Sequence, residues 1–325
     1  MSGRPHNSDD TREPAVTRPG FGRAEVYRGR LDEHGRLLPT RPVGRLLAAL
    51  RERLRSPGER AERELDLRLA GCGRGLERTE HVAVVSPKGG VGKTTCTLIA
   101  GDTLARHLHL RCVAVDANPD YGTLGSLAPD RSRSDRSLAD LLRADREPVA
   151  PGELRPYISP LASGLHVLAA PPAAEAMAAL TEEHYGRLVE LLGRFYELIL
   201  LDLGTGLTGP LARFALHRAD QAVVVATPEW VTAERVLAAL GEIQGRGVEG
   251  QLTLVLNQAP ARETADRQLI ESAFREADVA RRVVIPYDPR LRQMLDAGAY
   301  DPAGLPRQTR TAIKQLGLAV AEGLA

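Results

Sequence analysis

The chain has 325 residues, of which 43% are hydrophobic and 26% charged, and its formal net charge is +1. These values are ordinary for a globular protein with a substantial core, and the near-zero net charge gives no general case for nucleic acid or membrane binding. We expect no secretory signal, because the first residues contain no apolar segment, and no transmembrane helix, because no run of about 18 apolar residues occurs. The three cysteines lack Cys-x-x-Cys spacing, which argues against metal or iron–sulfur ligation and favours reduced thiols in a cytoplasmic protein.

The first 80 residues differ in pattern from the rest of the chain. Residues 1–20 are polar and contain proline, so we expect them to be disordered. We interpret residues 21–80 as a helical N-terminal extension. The main domain is predicted at 81–325.

A helical hairpin is predicted within this extension. Apolar residues recur at helical spacing through 42–55. A helix-start sequence follows, with Ser56 as cap, Pro57 in the first turn and Glu59 three residues after the cap. The second helix is expected to end near Ala70, before a glycine-containing turn.

From His81 onward, short apolar runs alternate with helical segments. The predicted strands are His81–Ser86, Cys112–Asp116, Leu165–Ala169, Leu198–Leu203, Gln221–Thr227, Leu252–Asn257 and Arg282–Ile285. The predicted helices lie near 93–109, 137–144, 181–195, 208–218, 230–244, 266–276, 289–297 and 308–323. This alternation predicts an α/β fold with a doubly wound, mostly parallel sheet and helices on both faces. A ligand is expected beyond the carboxyl ends of the strands.

The strongest local signal is the decapeptide Ser86–Thr95, which reads Ser-Pro-Lys-Gly-Gly-Val-Gly-Lys-Thr-Thr and holds two of the chain's three lysines. In such a loop, backbone N–H groups surround phosphates, Lys93 reaches the β- and γ-phosphates, and the Thr94 hydroxyl holds Mg²⁺. The following helix adds its dipole and its N-terminal N–H groups. The predicted phosphate-binding residues are Gly89, Gly90, Val91, Gly92, Lys93, Thr94 and Thr95.

The segment Lys-Gly-Gly-Val-Gly-Lys-Thr-Thr at 88–95 resembles the deviant Walker A motif of the ParA/MinD family of P-loop ATPases. The resemblance extends over about residues 81–323. It implies a nucleotide-dependent homodimer with ATP and Mg²⁺ bound, in which Lys88 reaches across the interface to the partner's ATP.

The segment after the second strand is similar to the family's Asp-x-Asp-Pro sequence. Asp116 matches the first aspartate, which supports the magnesium shell and a water. The second aspartate, which positions the attacking water, is replaced by Asn118. Because an amide can orient a water but cannot take its proton, we predict slow hydrolysis or rescue by Asp120. The alternative is that residues 118–120 only form a turn.

The apolar strand at 198–203 contains Asp202, which has the position of a Walker B carboxylate near the magnesium hydration shell. The family usually has Asp-x-Pro-x-Gly, and this chain continues with Gly204-Thr205-Gly206 instead. These glycines permit the backbone to rearrange around a γ-phosphate. The alternative is an aspartate that only caps the strand.

Nucleotide-base contacts are implied by the resemblance alone. The turn Thr227-Pro-Glu229 resembles one in MinD-like chains, and no ligand is assigned to it. The absence of an Asn-Lys-x-Asp signature favours ATP over GTP. The residues implied to contact the base are Asn257, Pro286, Tyr287 and Asp288.

Together these motifs look most like MinD-like ATPases associated with type VII secretion in actinobacteria. The expected function is an ATP-dependent dimerising switch that positions or regulates a protein cargo, which could dock on 21–80. One alternative is a nucleotide-sensing module that does not hydrolyse ATP. Another is a DNA-binding partition ATPase that uses the arginines within 41–55, although nearby acidic residues favour a partner-docking or solvated helix. Peripheral membrane attachment is not expected, because the tail at 309–325 has few basic residues.

Overall fold

The computed structural model describes residues 56–72, 76–118, 122–207, 210–245, 251–260, 262, 264–277, 279 and 281–324. The segment predicted to be disordered, 1–20, and the predicted first hairpin helix, 42–55, lie outside these residues. Gly58–Ala325 forms one compact unit. Within the described residues, no helix is both long and apolar enough to cross a bilayer.

The unit alternates strands and helices along the chain. The strands are β1 (Glu80–Ser86), β2 (Cys112–Ala117), β3 (Ile158–Pro160), β4 (His166–Leu168), β5 (Leu198–Thr205), β6 (Gln221–Ala226), β7 (Leu252–Ala259) and β8 (Arg281–Pro286). The α-helices are α1 (Pro57–Gly71), α2 (Lys93–Leu108), α3 (Leu138–Leu142), α4 (Pro151–Leu154), α5 (Ala174–Ala178), α6 (Glu182–Gly193), α7 (Pro210–Arg218), α8 (Trp230–Gln244), α9 (Ala265–Glu276), α10 (Pro289–Asp296) and α11 (Arg307–Ala321). Short 3₁₀ turns occur at Leu124–Leu127, Asp130–Ser132 and Pro302–Gly304.

The described strands form one eight-stranded sheet in the order β3-β4-β2-β5-β1-β6-β7-β8. Neighbouring strands are parallel, except that β3 runs antiparallel to β4 at the edge. The predicted doubly wound P-loop fold is therefore confirmed, and each predicted strand is present within two residues at either end. The edge strand β3 was not predicted, because three residues ending in proline carry no readable alternation.

Two apolar cores cover the two faces of the sheet. Side chains alternate between them along β1, so Ala83 and Val85 enter one core while Val82 and Val84 enter the other. Helices α6, α7, α8 and α9 contribute to the first core, and α1, α2, α10 and α11 contribute to the second. Burial on both faces explains why the strands read as continuous apolar runs.

The second helix of the predicted hairpin is present as α1 and packs on the sheet unit. Leu65 and Leu69 are buried in the same core as α11. The Glu62 carboxylate accepts hydrogen bonds from Arg310 at 2.9 and 3.0 Å and from Lys314 at 3.1 Å. These contacts make α1 part of the compact unit.

Candidate nucleotide-binding site

The strand order brings the predicted chemical groups to one edge of the sheet. The loop at 87–92 follows β1, which lies between β5 and β6. Asp116 on β2 and Asp202 on β5 are register partners on adjacent strands. Because all these strands are parallel, their carboxyl ends meet beside the loop, where ligands of this fold class bind.

The loop conformation depends on glycine. Gly90 and Gly92 have φ values of 75° and 90°, in the left-handed region that favours glycine. A Cβ at Gly92 would come within 2.2 Å of the Asn257 amide nitrogen. Gly92 is also the N-cap of α2. Because glycine has no side chain that could cap the first N–H groups of the helix, this N-terminus suits an anion.

Asp202 is a buried carboxylate whose charge is only partly offset by neighbouring groups. It is 1% exposed, and neither oxygen has a hydrogen-bond partner among the described residues. Burial raises its pKa to about 7, and the charge of Asp116 adds to the rise. The Thr94 hydroxyl and the Lys93 ammonium lie close enough to offset part of this shift. An ionised carboxylate in this position favours a cation.

Asp116 joins the end of β2 to the segment that follows it. The side chain is fully buried, and burial raises its pKa to about 6. Its oxygens accept backbone N–H groups from Leu124 at 2.9 Å and Asn118 at 3.3 Å. A Cβ at Gly122 would come within 2.4 Å of the same carboxylate. This carboxylate therefore ties the segment containing Asn118 to the site.

The residues present fit Mg²⁺. The described residues contain no group of three or more His, Cys, Asp or Glu side chains that could hold a metal alone. Mg²⁺ commonly uses one or two carboxylates and completes its shell with phosphate oxygens and waters. The buried Asp202 oxygens, the adjacent Asp116 and the nearby Thr94 hydroxyl match that donor set.

A cavity of about 990 Å³ opens over the loop. Its lining includes the predicted residues Gly90, Gly92, Lys93, Thr94, Thr95, Asn118, Asn257, Pro286, Tyr287 and Asp288. The predicted residues Gly89, Val91, Asp116 and Asp202 are not part of this lining, and Asp120 lies outside the described residues. A smaller cavity of about 480 Å³ lies between α1 and α11 and contains none of the phosphate-loop residues.

Residues 82–299 match the family model described as the CobQ/CobB/MinD/ParA nucleotide binding domain. The chain belongs to this family. The ESX-1 secretion-associated protein EspI of Mycobacterium tuberculosis is 32% identical over 238 residues, which cover 72% of this chain and 35% of EspI. The chain thus aligns with about a third of EspI.

Other relatives place the chain beside the ParA and MinD branches of the family. The chromosome-partitioning ATPase Soj of Thermus thermophilus is 31% identical over 192 residues, which cover 55% of this chain and 68% of Soj. The structure of Pyrococcus horikoshii MinD, complexed with Mg-ADP, is similar with a TM-score of 0.60. At 22% identity, over 73% of this chain and 94% of that one, this likeness shows the fold.

In this ParA/MinD-family chain, the first loop lysine binds side chains of the same chain. The Lys88 ammonium donates to the Glu229 carboxylate and, at 3.0 Å, to the Thr232 hydroxyl. The ammonium lowers the pKa of Glu229. Glu229 lies in the turn after β6, to which sequence reasoning assigned no ligand. The turn lies beside the loop because β6 pairs with β1. The sequence alone does not reveal this pairing.

The residues implied to contact the base have different surroundings. The Asn257 amide donates at 2.8 Å to the carbonyl of Val91. Asp288 caps α10 by accepting the Arg290 N–H at 2.9 Å, and it accepts the Thr309 hydroxyl at 2.6 Å. Tyr287 is 51% exposed, so its ring is accessible from solvent at the cavity.

Several cavity-lining residues were not predicted. They come from the segment after β2 and from α10, and no motif marks them because they meet only in the folded chain. They include Thr123, Ser126, Arg133, Arg292 and Asp296. Gln258, beside Asn257, also lines the cavity.

Proposed function

We propose that this chain is an ATP-dependent dimerising switch with slow, Mg²⁺-dependent hydrolysis that regulates a protein cargo. The observation that carries the proposal is the buried Asp116–Asp202 carboxylate pair beside a glycine-capped helix N-terminus and Lys93. Buried carboxylates with raised pKa values are costly unless a cation or a reaction uses them. A magnesium nucleotide would supply that cation, and the helix N-terminus would bind its phosphates.

The residues have separate roles in binding. The backbone around Gly90 and Gly92, together with Lys93, would hold the β- and γ-phosphates. Thr94, Asp202 and Asp116 would hold Mg²⁺. An Mg²⁺ ion held by these residues would supply neutralisation of the phosphate charge.

Calorimetry of the full chain with ATP tests this core of the proposal. We expect saturable binding that requires Mg²⁺ and is weaker for GTP. A well-folded chain that takes up no Mg-ATP would overturn the proposal.

Slow hydrolysis follows from Asn118. The Asn118 side chain is half-buried in the wall of the cavity. Its amide can orient a water molecule there but cannot accept a proton from it. We expect Asn118→Asp to accelerate phosphate release under single-turnover conditions. An unchanged rate would show that Asn118 does not limit hydrolysis.

A second candidate function, a nucleotide-sensing module that does not hydrolyse ATP, is favoured by the same residue. It predicts saturable Mg-ATP binding by the wild type without phosphate release over hours. Detectable steady-state turnover by the wild type would eliminate this alternative.

Dimerisation is proposed through Lys88. In the monomer its ammonium is bound by Glu229 and Thr232, and in the dimer it would exchange these partners for the phosphates bound by the second subunit. A cation placed there stabilises charge that develops on the γ-phosphate. Lys88→Ala should keep Mg-ATP binding in calorimetry and lose the ATP-dependent dimer in sedimentation velocity. A dimer of wild-type stability in this variant would refute the exchange.

The proposed cargo is a protein of a secretion system, as suggested by the similarity to the secretion-associated EspI. The proposed setting is the cytoplasm. Truncation can test whether the cargo docks within 21–80, and the structure indicates which residues can be removed without disturbing the core. Removal of 1–80 would also remove Leu65 and Leu69 from the core. Removal of 1–55 leaves α1 in place. Loss of cargo binding in that truncation, with unchanged ATP binding, is the expected result. Salt-dependent binding of duplex DNA would favour partition instead.

A further inference from the structure

Strand β7 contains an irregularity where it passes the phosphate loop. Three residue steps along β7, from Leu256 to Ala259, match two steps along β8, from Val284 to Pro286. One extra residue is therefore inserted in β7, as in a β-bulge. Bulges next to ligand sites re-aim side chains.

The extra residue takes an uncommon backbone conformation. Gln258 has φ of 57°, and His109 is the other non-glycine residue with positive φ among those described. A glutamine held in the left-handed region is strained. Such strain persists where surrounding contacts require it, and ligand-binding loops are typical places.

The bulge directs two consecutive side chains to the same loop. On a regular strand, neighbouring side chains point to opposite faces. Here the Asn257 amide donates to the Val91 carbonyl at 2.8 Å, and the Gln258 amide donates to the Gly90 carbonyl at 3.4 Å. Two adjacent amides thus hold two adjacent loop carbonyls, and we call this arrangement the amide clamp.

We infer that Gln258, through the amide clamp, is a positioning residue that holds the phosphate loop ready for the nucleotide. The inference rests on the proposed nucleotide binding. With Gly90 and Val91 carbonyls turned to the amides of β7, the loop is held in one conformation before the nucleotide arrives. Preorganisation of this kind increases affinity because the loop does not have to be ordered on binding.

The test uses Gln258→Gly, which keeps the backbone shape without strain and removes the amide. His109→Gly is the matched control, since it relieves the same kind of backbone strain at the exposed C-cap of α2. Both variants should raise Tm or leave it unchanged. Only Gln258→Gly should weaken Mg-ATP binding, by about three- to tenfold, as expected for one lost hydrogen bond. Only Gln258→Gly should speed hydrogen exchange of the loop amides in the protein without nucleotide.

The possible outcomes separate this inference from the proposed function. Wild-type binding of Mg-ATP with unchanged affinity and unchanged loop exchange in Gln258→Gly would overturn the positioning role alone. Absence of Mg-ATP binding by the wild type would overturn the proposed function and the inference with it. Faster loop exchange together with weaker binding, at unchanged or raised Tm, supports the role because a merely destabilised fold would lower Tm.

Discussion

Two acidic sites of this molecule use the same chemistry in opposite ways. Between α1 and α11, Glu62 accepts hydrogen bonds from Arg310 and Lys314, and the Arg310 hydrogen bond in particular lowers its pKa to about 2. At the end of β5, burial raises the pKa of Asp202 to about 7, and its oxygens have no hydrogen-bond partner among the described residues.

The opposite pKa shifts distinguish a carboxylate that stabilises the fold, Glu62, from one that could bind a cationic ligand, Asp202. A paired carboxylate stabilises the protein, whereas a buried carboxylate without a partner costs free energy in the absence of a cation. Sites where such a cost persists are expected to be functional. The following predictions test this contrast.

The largest effect is expected when the lysine of each site is replaced by alanine in a separate variant. Lys93→Ala should weaken Mg-ATP binding by about 100-fold or more, because it removes a charge-assisted contact to phosphate. Lys314→Ala removes a lysine paired with Glu62 and Asp66, so it should lower stability and keep nucleotide affinity. Calorimetry measures the Mg-ATP affinity of both variants, and urea unfolding measures their stability. Equal losses of affinity in the two would contradict the contrast.

Next comes Asp202→Asn. At pH 8 in EDTA, the free energy of unfolding of this variant should be about 1 to 3 kcal/mol higher than that of the wild type, because a buried charge that its neighbours offset only in part is removed. Its Mg²⁺-dependent ATP binding should be lost. The control is Asp220→Asn, since Asp220 is paired with Arg78 at 2.7 Å and His81 N–H at 2.8 Å. That variant should lose stability, and a loss of stability in Asp202→Asn as well would refute our interpretation.

Glu62→Gln tests the paired site. Because the folded pKa of about 2 lies below the ordinary value of 4.5, the ion pair stabilises the protein above pH 4.5, and this stabilisation is lost as pH falls toward 2. The cluster lies near the surface, so we expect a discounted loss of about 1 to 2 kcal/mol at pH 7.

Urea unfolding of this variant at pH 7 and pH 3 measures the difference. The destabilisation should shrink at pH 3. Glu64→Gln, on an exposed position of the same helix, should change little at either pH. A loss that stays constant with pH would show that the charge of Glu62 is not responsible.

The smallest effect is expected at Glu229. Glu229→Gln weakens the hold on Lys88, so the ATP-dependent dimer should tighten by about two- to threefold, as for an exposed ion pair. Sedimentation equilibrium with Mg-ATP measures the change. Glu234→Gln, an exposed change on α8, which begins directly after Glu229, is the control. A weaker dimer in Glu229→Gln would mean that Glu229 acts within the interface instead of competing with it.

Much of the fold could be predicted because its signals are local. Each buried parallel strand is a continuous apolar run, and the loop from Ser86 to Thr95 carries its phosphate-binding residues in one segment. The edge strand β3 was missed because it is short. The predicted ends of the other strands differ from the observed ends by up to two residues. At β7 the two additional residues include the bulge, which a period-two pattern does not contain.

The sequence by itself determined the α/β class, the phosphate loop and the presence of acidic residues at the ends of two strands. Only the tertiary structure decided which distant groups meet. The pairing of Lys88 with Glu229 spans 141 residues, and the contact of Gln258 with Gly90 spans 168. The strand order brings these distant residues into contact, because β1 lies between β5 and β6, which come much later in the chain. No local pattern encodes that order.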